Sequence, residues 1–478
     1  MQPFKWIKVI CVLVSYLMAN GGFAQVDTVE VRVFGGQRDD RGLRLIELAN
    51  GDVLALSASN STADEEPHAW VHRFDSLVNP IWNTTVSDAP LLQPVDAVEH
   101  GAGFVTVLAI RYANASAAYD WGWYTLDAFG HPVSQTQWGS DAWDIPARLL
   151  HRNDSLWSVG TSDATGSGDV LVTLHTWNGN AWLFDSSWSW DSGAADEVSD
   201  AEFIGEAIAV STSANDLAHC TVFHALNGEV LWSYTAPYTS PTTSKAVDAQ
   251  DSSLVMLFNA DTPDGTRLGF ACLNLAGDTL LETIPGSGVD VAGEDVTWYG
   301  PNNFATISVT NDLGLGGEEW LFSRWTDGGV WQGGPTFGTQ WNEAPAAIMH
   351  ASDGRLWIIG RSDGFSNGRD DVYLLVAPSP QVGNELVYIS VEVNVTEDAV
   401  GIEELNCARP MEVHPHPIRN GFTISNIDAQ ESWSLLDGSG RVVCEGIGTV
   451  GNASRLAPGM YLLRMQATNE AIPVWVAR

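Results

Sequence analysis

Short runs dense in β-branched and apolar residues recur along the chain at a nearly constant interval. They are Val53–Ser57, Phe104–Leu108, Leu156–Gly160, Ala207–Ser211, Leu254–Phe258, Phe304–Ser308 and Leu356–Gly360, stepping by 51, 52, 51, 47, 50 and 52 residues. A second marker keeps the same beat: tight glycine turns at Gly130, Gly179, Gly228, Gly277 and Gly328, several of them Asn-Gly or Asp-Gly. Such dipeptides between apolar runs are hairpin signals, because glycine accepts the positive φ the turn requires. In the first unit the alternation predicts four strands, Leu43–Leu48, Val53–Ala58, Ala69–Phe74 and Ile81–Val86. Seven such units fit between about Phe34 and Ala377.

Four short strands every 50 residues or so predict the blades of an all-β, seven-bladed propeller. A solenoid has a shorter period, and a string of sandwiches needs about 100 residues per domain. Val29–Phe34 stands where other units carry a fourth strand, so it is placed to complete the last blade behind Val372–Ala377. A rival for that position is the alternating run Leu386–Val395.

The ends of the chain read differently. Lys5 and Lys8, the apolar run Val9–Ala19 and the small residues near Ala24 follow the order of a secretory signal peptide over residues 1–25. No later segment holds 18 consecutive apolar residues, so no membrane span is expected in the mature chain. After Val395 the composition turns polar, and residues 396–410 read as a linker behind a propeller over 26–395. Residues 411–478 then predict short strands separated by Asp437-Gly-Ser-Gly440 and Pro458-Gly459 turns, a small antiparallel β-sandwich.

Charge narrows the partners. The chain carries 22 Lys+Arg against 59 Asp+Glu, a net charge of −37. Loss of residues 1–25 leaves Lys245 as the sole lysine and a net charge of −39. Such a surface repels phosphates, which excludes nucleic acid as the default partner. Five cysteines without a C-x-x-C exclude a zinc ribbon; Cys407–Cys444 is one candidate bridge, and Cys220 and Cys272 read as single buried thiols.

Two resemblances follow from these residues. The segments "FGGQRDD", "NGDVLALSAS" and "HAWVHRFDSLVNPIW" resemble the repeats of secreted bacterial surface propellers, although later copies lose the Gly-Gly pair. The C-terminal module resembles the sorting domain of type IX secretion cargo in Bacteroidetes. The matching positions are Pro415 and Pro417, Gly421, Asp437 with Gly440 and Arg441, and Leu456, Gly459 and Tyr461; His416 replaces the family's usual asparagine. The resemblance implies export to the cell surface or medium with the type IX secretion machinery as partner.

Chemistry is sparsely marked. There is no G-x-S-x-G, H-E-x-x-H, phosphate loop or EF-hand calcium loop. The long loops fall on one face of the expected ring and are acidic, so their carboxylates should converge on one rim. Glu294 and Asp295 are assigned to those blade-to-blade loops. Calcium is the cofactor such a rim suggests, with Asp163, Asp169, Asp363, Asp370 and Asp371 as candidate ligands. Trp143 and Trp341, in blade-to-blade loops, suggest an extracellular polysaccharide or protein ligand. The expected function is non-catalytic binding, adhesion or scaffolding outside the cell. The alternative is a carbohydrate-active enzyme, a glycoside hydrolase or lyase, using rim carboxylates.

Overall fold

The structure is a computed structural model of the whole chain. It describes residues 9–10, 29–61, 66–101, 103–112, 118–164, 168–250, 253–285, 290–311, 317–338, 341–364, 369–377 and 388–390, and within the C-terminal segment 412–414, 421–425, 432–436, 441–454, 456–457, 459–465 and 471–476. The signal-peptide expectation, apart from Val9 and Ile10, and the linker lie outside these residues. The described residues are strands and turns without a helix. None of them forms a helix long and apolar enough to cross a membrane. The chain divides into two compact units, Met1–Gly401 and Ile402–Arg478.

The first unit is built from four-stranded antiparallel meanders. Blade 1 comprises Asp40–Glu47, Val53–Ser59, His68–Phe74 and Pro80–Val86, within a few residues of the strands expected from alternation. Burial explains the composition of each strand. The second and third strands lie between neighbouring blades, so both their faces are covered and they read as continuous apolar runs. The fourth strand faces water and alternates. The innermost strands are Asp40–Glu47, Leu91–His100, Asp144–Arg152, Glu197–Ile204, Thr242–Gln250, Val291–Gly300 and Glu343–His350. Each packs on the next, and the last packs on the first. That is the closed ring of a β-propeller.

Closure uses the N-terminal strand. Glu30–Phe34 pairs antiparallel with Val372–Val376, in register from Glu30↔Val376 to Phe34↔Val372. Val29 and Val31 pack into the core with Trp320 and Phe322 of blade 6, while Phe34 meets Trp70, His72 and Phe74 of blade 1. The rival run does something else. Its described part, Tyr388–Ser390, adds a parallel strand to the outer edge of blade 6, at Thr336–Gly338.

A lock repeats around the outside. Trp82 in the fourth strand of blade 1 donates its indole N–H to Ala128 O at 3.1 Å, in the third turn of blade 2. Trp188 reaches Ala225 O at 3.3 Å and Trp232 reaches Leu275 O at 2.9 Å in the same way. The ring slides under the glycine of that turn. Gly130 has φ +83°, and a Cβ there would stand 2.7 Å from the Trp82 ring. At Gly130, Gly228 and Gly277 the beat of glycines and tryptophans is thus one contact between successive blades; Gly179 meets nothing within 4 Å, and in blade 6 Gly329 rather than Gly328 takes the positive φ and meets Leu281.

The second unit contains two antiparallel sheets. Glu412–His414, Gly421–Ser425 and Val450–Asn452 form one, and Ser432–Leu436, Val442–Ile447, Gly459–Met465 and Ala471–Val476 the other. Phe422, Ile424, Trp433, Leu435, Leu463 and Val474 share one core. Cys220 and Cys272 are buried single thiols pushed up to about 12 by burial. Cys407 lies outside the described residues.

Candidate functional site

Every innermost strand of the propeller carries a β-bulge at the same place, between Gly42/Arg44, Pro94/Asp96, Pro146/Arg148, Val198/Asp200, Ser244/Ala246, Gly293/Asp295 and Pro345/Ala347. A bulge redirects the side chain beside it. The charged residues that follow the bulge, Arg44, Asp96, Arg148, Asp200 and Asp295, gather in one layer of the channel, whereas Ala246 and Ala347 at the same place pack into apolar clusters between blades. One guanidinium reaches three blades. Arg44 stands 3.7 Å from Asp96, 3.9 Å from Asp200 and 3.8 Å from Asp295. Arg148 lies 3.3 Å from Asp96, 3.2 Å from Asp200 and 3.5 Å from Glu202.

The carboxylates also tie blades together through the backbone. Asp96 accepts the Leu149 N–H at 2.9 Å, Asp200 the Val247 N–H at 3.1 Å, and Asp295 the Ile348 N–H at 2.9 Å. Asp248, two residues further along its strand, accepts the Trp298 N–H at 2.8 Å. The other oxygen of Asp200, Asp248 and Asp295 accepts the following residue's own N–H. Arg148 Nε donates to Ala201 O at 3.1 Å, joining blades 3 and 4. Beside this layer lies a cavity of about 120 Å³, lined by Arg44, Arg148, Asp200, Asp248, Asp295 and Met349 among others.

Five carboxyl groups share two guanidiniums, and burial makes ionisation costly. Desolvation pushes Asp248 up to about 8, Asp96 and Glu202 up to about 7 and Asp295 up to about 6, against the relief that Arg44 gives to all but Asp248. Asp200 is raised for the same reason. Groups whose folded-state pKa is raised contribute stability at low pH and lose it as pH climbs through the folded value. The buried histidines His72, His100 and His175 are lowered by desolvation. Their contribution has the opposite sign but is confined below the free histidine value of about 6.5. Between pH 6.5 and 8.5 the channel acids therefore act unopposed. The melting temperature should fall across that interval, by the equivalent of at least about 1 kcal/mol. Glu202→Gln should flatten part of the slope. Unchanged melts over this range would refute the assignment.

The rim differs from the sequence expectation. Asp295 belongs to the channel rather than to a blade-to-blade loop, and Glu294, its neighbour in the same strand, pairs with Lys245 at 3.1 Å. Asp40, Asp144 and Asp196, three of the acids between blades, are fully buried. Each accepts the N–H of the residue four places earlier, Gly36 at 2.6 Å, Ser140 at 2.6 Å and Ser192 at 2.9 Å. The glycine pair of the first unit has a reason here. A Cβ on Gly35 would lie 2.1 Å from Asp371 Oδ1 and 3.1 Å from Asp40 Oδ2.

The calcium candidates fall on two separate blades. Asp163 and Asp169 bracket a loop of blade 3, and Asp363, Asp370 and Asp371 one of blade 7. Asp370 pairs with Arg361 at 2.7 Å, and Asp363 accepts from Asn342 N and Nδ2 at 2.8 and 2.9 Å. Asp169 and Asp371 are buried at the first position of their strands. Among the described residues no group of three or more His, Cys, Asp or Glu side chains is gathered to hold a metal ion.

Of the sorting-motif positions, Pro415, Pro417, Asp437 and Gly440 lie outside the described residues. Gly421 and Gly459 each open a strand, Arg441 precedes one and is exposed, and the Tyr461 hydroxyl donates to Ala457 O at 2.9 Å.

The channel layer escaped the sequence reading, yet its signal was present. Arg44, Asp96, Arg148, Asp200 and Asp295 recur at the blade spacing or twice it, each at the same place in its inner strand.

No protein-family model matches the chain, and no curated protein matches it in sequence. Solved structures resemble it in fold. YCF48 bound to D1 peptide aligns at TM-score 0.47 and 11% identity, over 73% of this chain and 94% of that one. The Dos1 propeller aligns at TM-score 0.44 and 10% identity, over 73% and 80%. A polysaccharide lyase of family PL25, an ulvan lyase, aligns at TM-score 0.38 and 12% identity, over 78% and 96%. The closed ring of inner strands by itself makes the first unit an all-β propeller in fold.

Proposed function

We propose that the chain is an exported, non-catalytic recognition or scaffold propeller of seven blades, delivered to the cell surface or medium by a type IX sorting domain at residues 411–478. The supporting observation is the chemistry of the channel. Asp96, Asp200, Asp248 and Asp295 already accept backbone N–H groups from neighbouring blades. Carboxylates engaged in this way hold the ring and are poorly placed for proton transfer to a ligand. The ordered C-terminal motifs support the export half.

The alternative, a carbohydrate-active enzyme, has one observation in its favour. Asp120 on the rim is raised by burial and by Asp144 nearby, the condition of a general acid. Asp144 itself accepts from Ser140 and Ser162. Incubation with a polysaccharide panel and a reducing-sugar readout separates the two. No release is expected, and release abolished by Asp120→Asn would establish the enzyme. Export is tested by deleting residues 411–478, which should strand the chain in the periplasm; surface display without them would refute the sorting assignment. Melts in EDTA and in millimolar Ca²⁺ should superimpose, because Asp363 and Asp370 are already engaged; a raised midpoint would make the rim a calcium site.

A further inference from the structure

The locked loop described above recurs, but its cargo does not. Before the innermost strands of blades 1, 3 and 4, a buried aspartate accepts the N–H of the residue four places earlier. The residue preceding that aspartate is Asp39, Trp143 and Ala195 respectively. Of these three loops, the one between blades 2 and 3 uses the device to display an aromatic ring. Trp143 is 55% exposed, yet its backbone is fixed. Its carbonyl accepts the Asp163 N–H at 2.9 Å, and the Ala142 N–H donates to Ser140 Oγ at 3.1 Å. Ser140 is in turn held by Asp144. An exposed indole on a pinned loop has already lost the freedom that binding would otherwise cost.

Trp143 also has company. Its ring centroid lies 5.2 Å from that of Tyr119, which lies 5.2 Å from that of Tyr112. The rings are tilted, at 76° and 44°, so the row turns as it advances. These contacts hold the Trp143 ring in place from one side and leave its exposed part free, and the apolar ring faces of a pyranose stack on such an exposed aromatic ring. Polar groups flank the row: Asp141 is exposed, Asp120 is half-buried, and Arg111 pairs with Asp88 at 3.6 Å. Carboxylates beside an aromatic face accept sugar hydroxyls. A net charge of −37 disfavours uronate or sulfate polymers at such a surface.

We infer that Tyr112, Tyr119 and Trp143 form a binding platform for an uncharged, extended polysaccharide at the junction of blades 2 and 3. This rests on the recognition reading above and names its ligand class and address.

Affinity electrophoresis of the full mature chain tests it, in gels cast with a soluble mixed-linkage β-glucan, hydroxyethylcellulose or alginate. Retardation by one or both neutral polymers and not by alginate is expected. Trp143→Ala should weaken it about tenfold, equivalent to 1.4 kcal/mol. Trp331→Ala, an exposed tryptophan on the outer strand of blade 6, should not change it. A melting temperature equal to wild type certifies each variant's fold. Retardation that Trp143→Ala leaves intact, or a preference for alginate, would overturn the platform while leaving a recognition propeller. No retardation by either neutral polymer would overturn the ligand class. Polymer shortened during the run would instead refute the non-catalytic reading and leave the platform in place.

Discussion

Arg44→Met is expected to lower the stability of the propeller by about 3–5 kcal/mol, the effect of removing one partner from a buried ion cluster. Arg44 is the group that faces Asp96, Asp200 and Asp295 together. Without it, three carboxylates from blades 2, 4 and 6 confront one another with Arg148 alone for relief. Arg148 touches Asp96 and Asp200 but not Asp295, so it cannot substitute. The loss should depend on pH. These acids are already raised into the range of about 6 to 7 for Asp295 and Asp96. At pH 5 Asp96 and Asp295 are largely protonated and need no counter-ion, so the variant should approach wild type there and fall behind at pH 8. Urea unfolding at the two pH values measures this. A loss under about 1 kcal/mol at pH 8, or the same loss at both, would show that Arg44 is not the electrostatic centre of the ring.

Removing the closing strand should be comparably damaging. A chain starting at Gly36 lacks Val29, Val31 and Phe34, each nearly or fully buried. Their burial is worth roughly 5–9 kcal/mol at about 1.5–3 kcal/mol per side chain, against a typical total stability of about 5–15 kcal/mol. The truncation also bares the edge of Asp371–Ala377, a strand buried along its whole length and prone to pair with other chains. The expected outcome is aggregated or unfolded protein. A chain ending at Ala377 keeps the ring intact and should still melt cooperatively. If the first truncation melts like the full propeller, closure does not depend on Glu30–Phe34.

The locked outer tryptophans show how far the sequence could be read. The beat of glycine turns and the tryptophans after them were visible as spacing. Their purpose was not, because Trp82 meets Gly130 only when two meanders pack side by side. The reverse holds for the rim. Acidity was plain in the composition, but a count of carboxylates cannot distinguish a solvated loop from Asp40, Asp144 and Asp196, which are buried under their own loop N–H groups. Asp295 was misplaced for a related reason. A charged residue in a short segment between apolar runs looks like a loop, and only a bulge inside a strand turns it toward a channel.

Local alternation, turn residues and the repeat length determined the blades and their order, since these depend on contacts near in sequence or on a period. They left Val29–Phe34 and Leu386–Val395 as rivals for the closing strand, a choice made by pairing across most of the chain. The channel layer, its cavity and the aromatic row at the second junction were decided by the tertiary ring. Arg44 and Asp295 are about 250 residues apart in the chain, and no local pattern carries the distance between them.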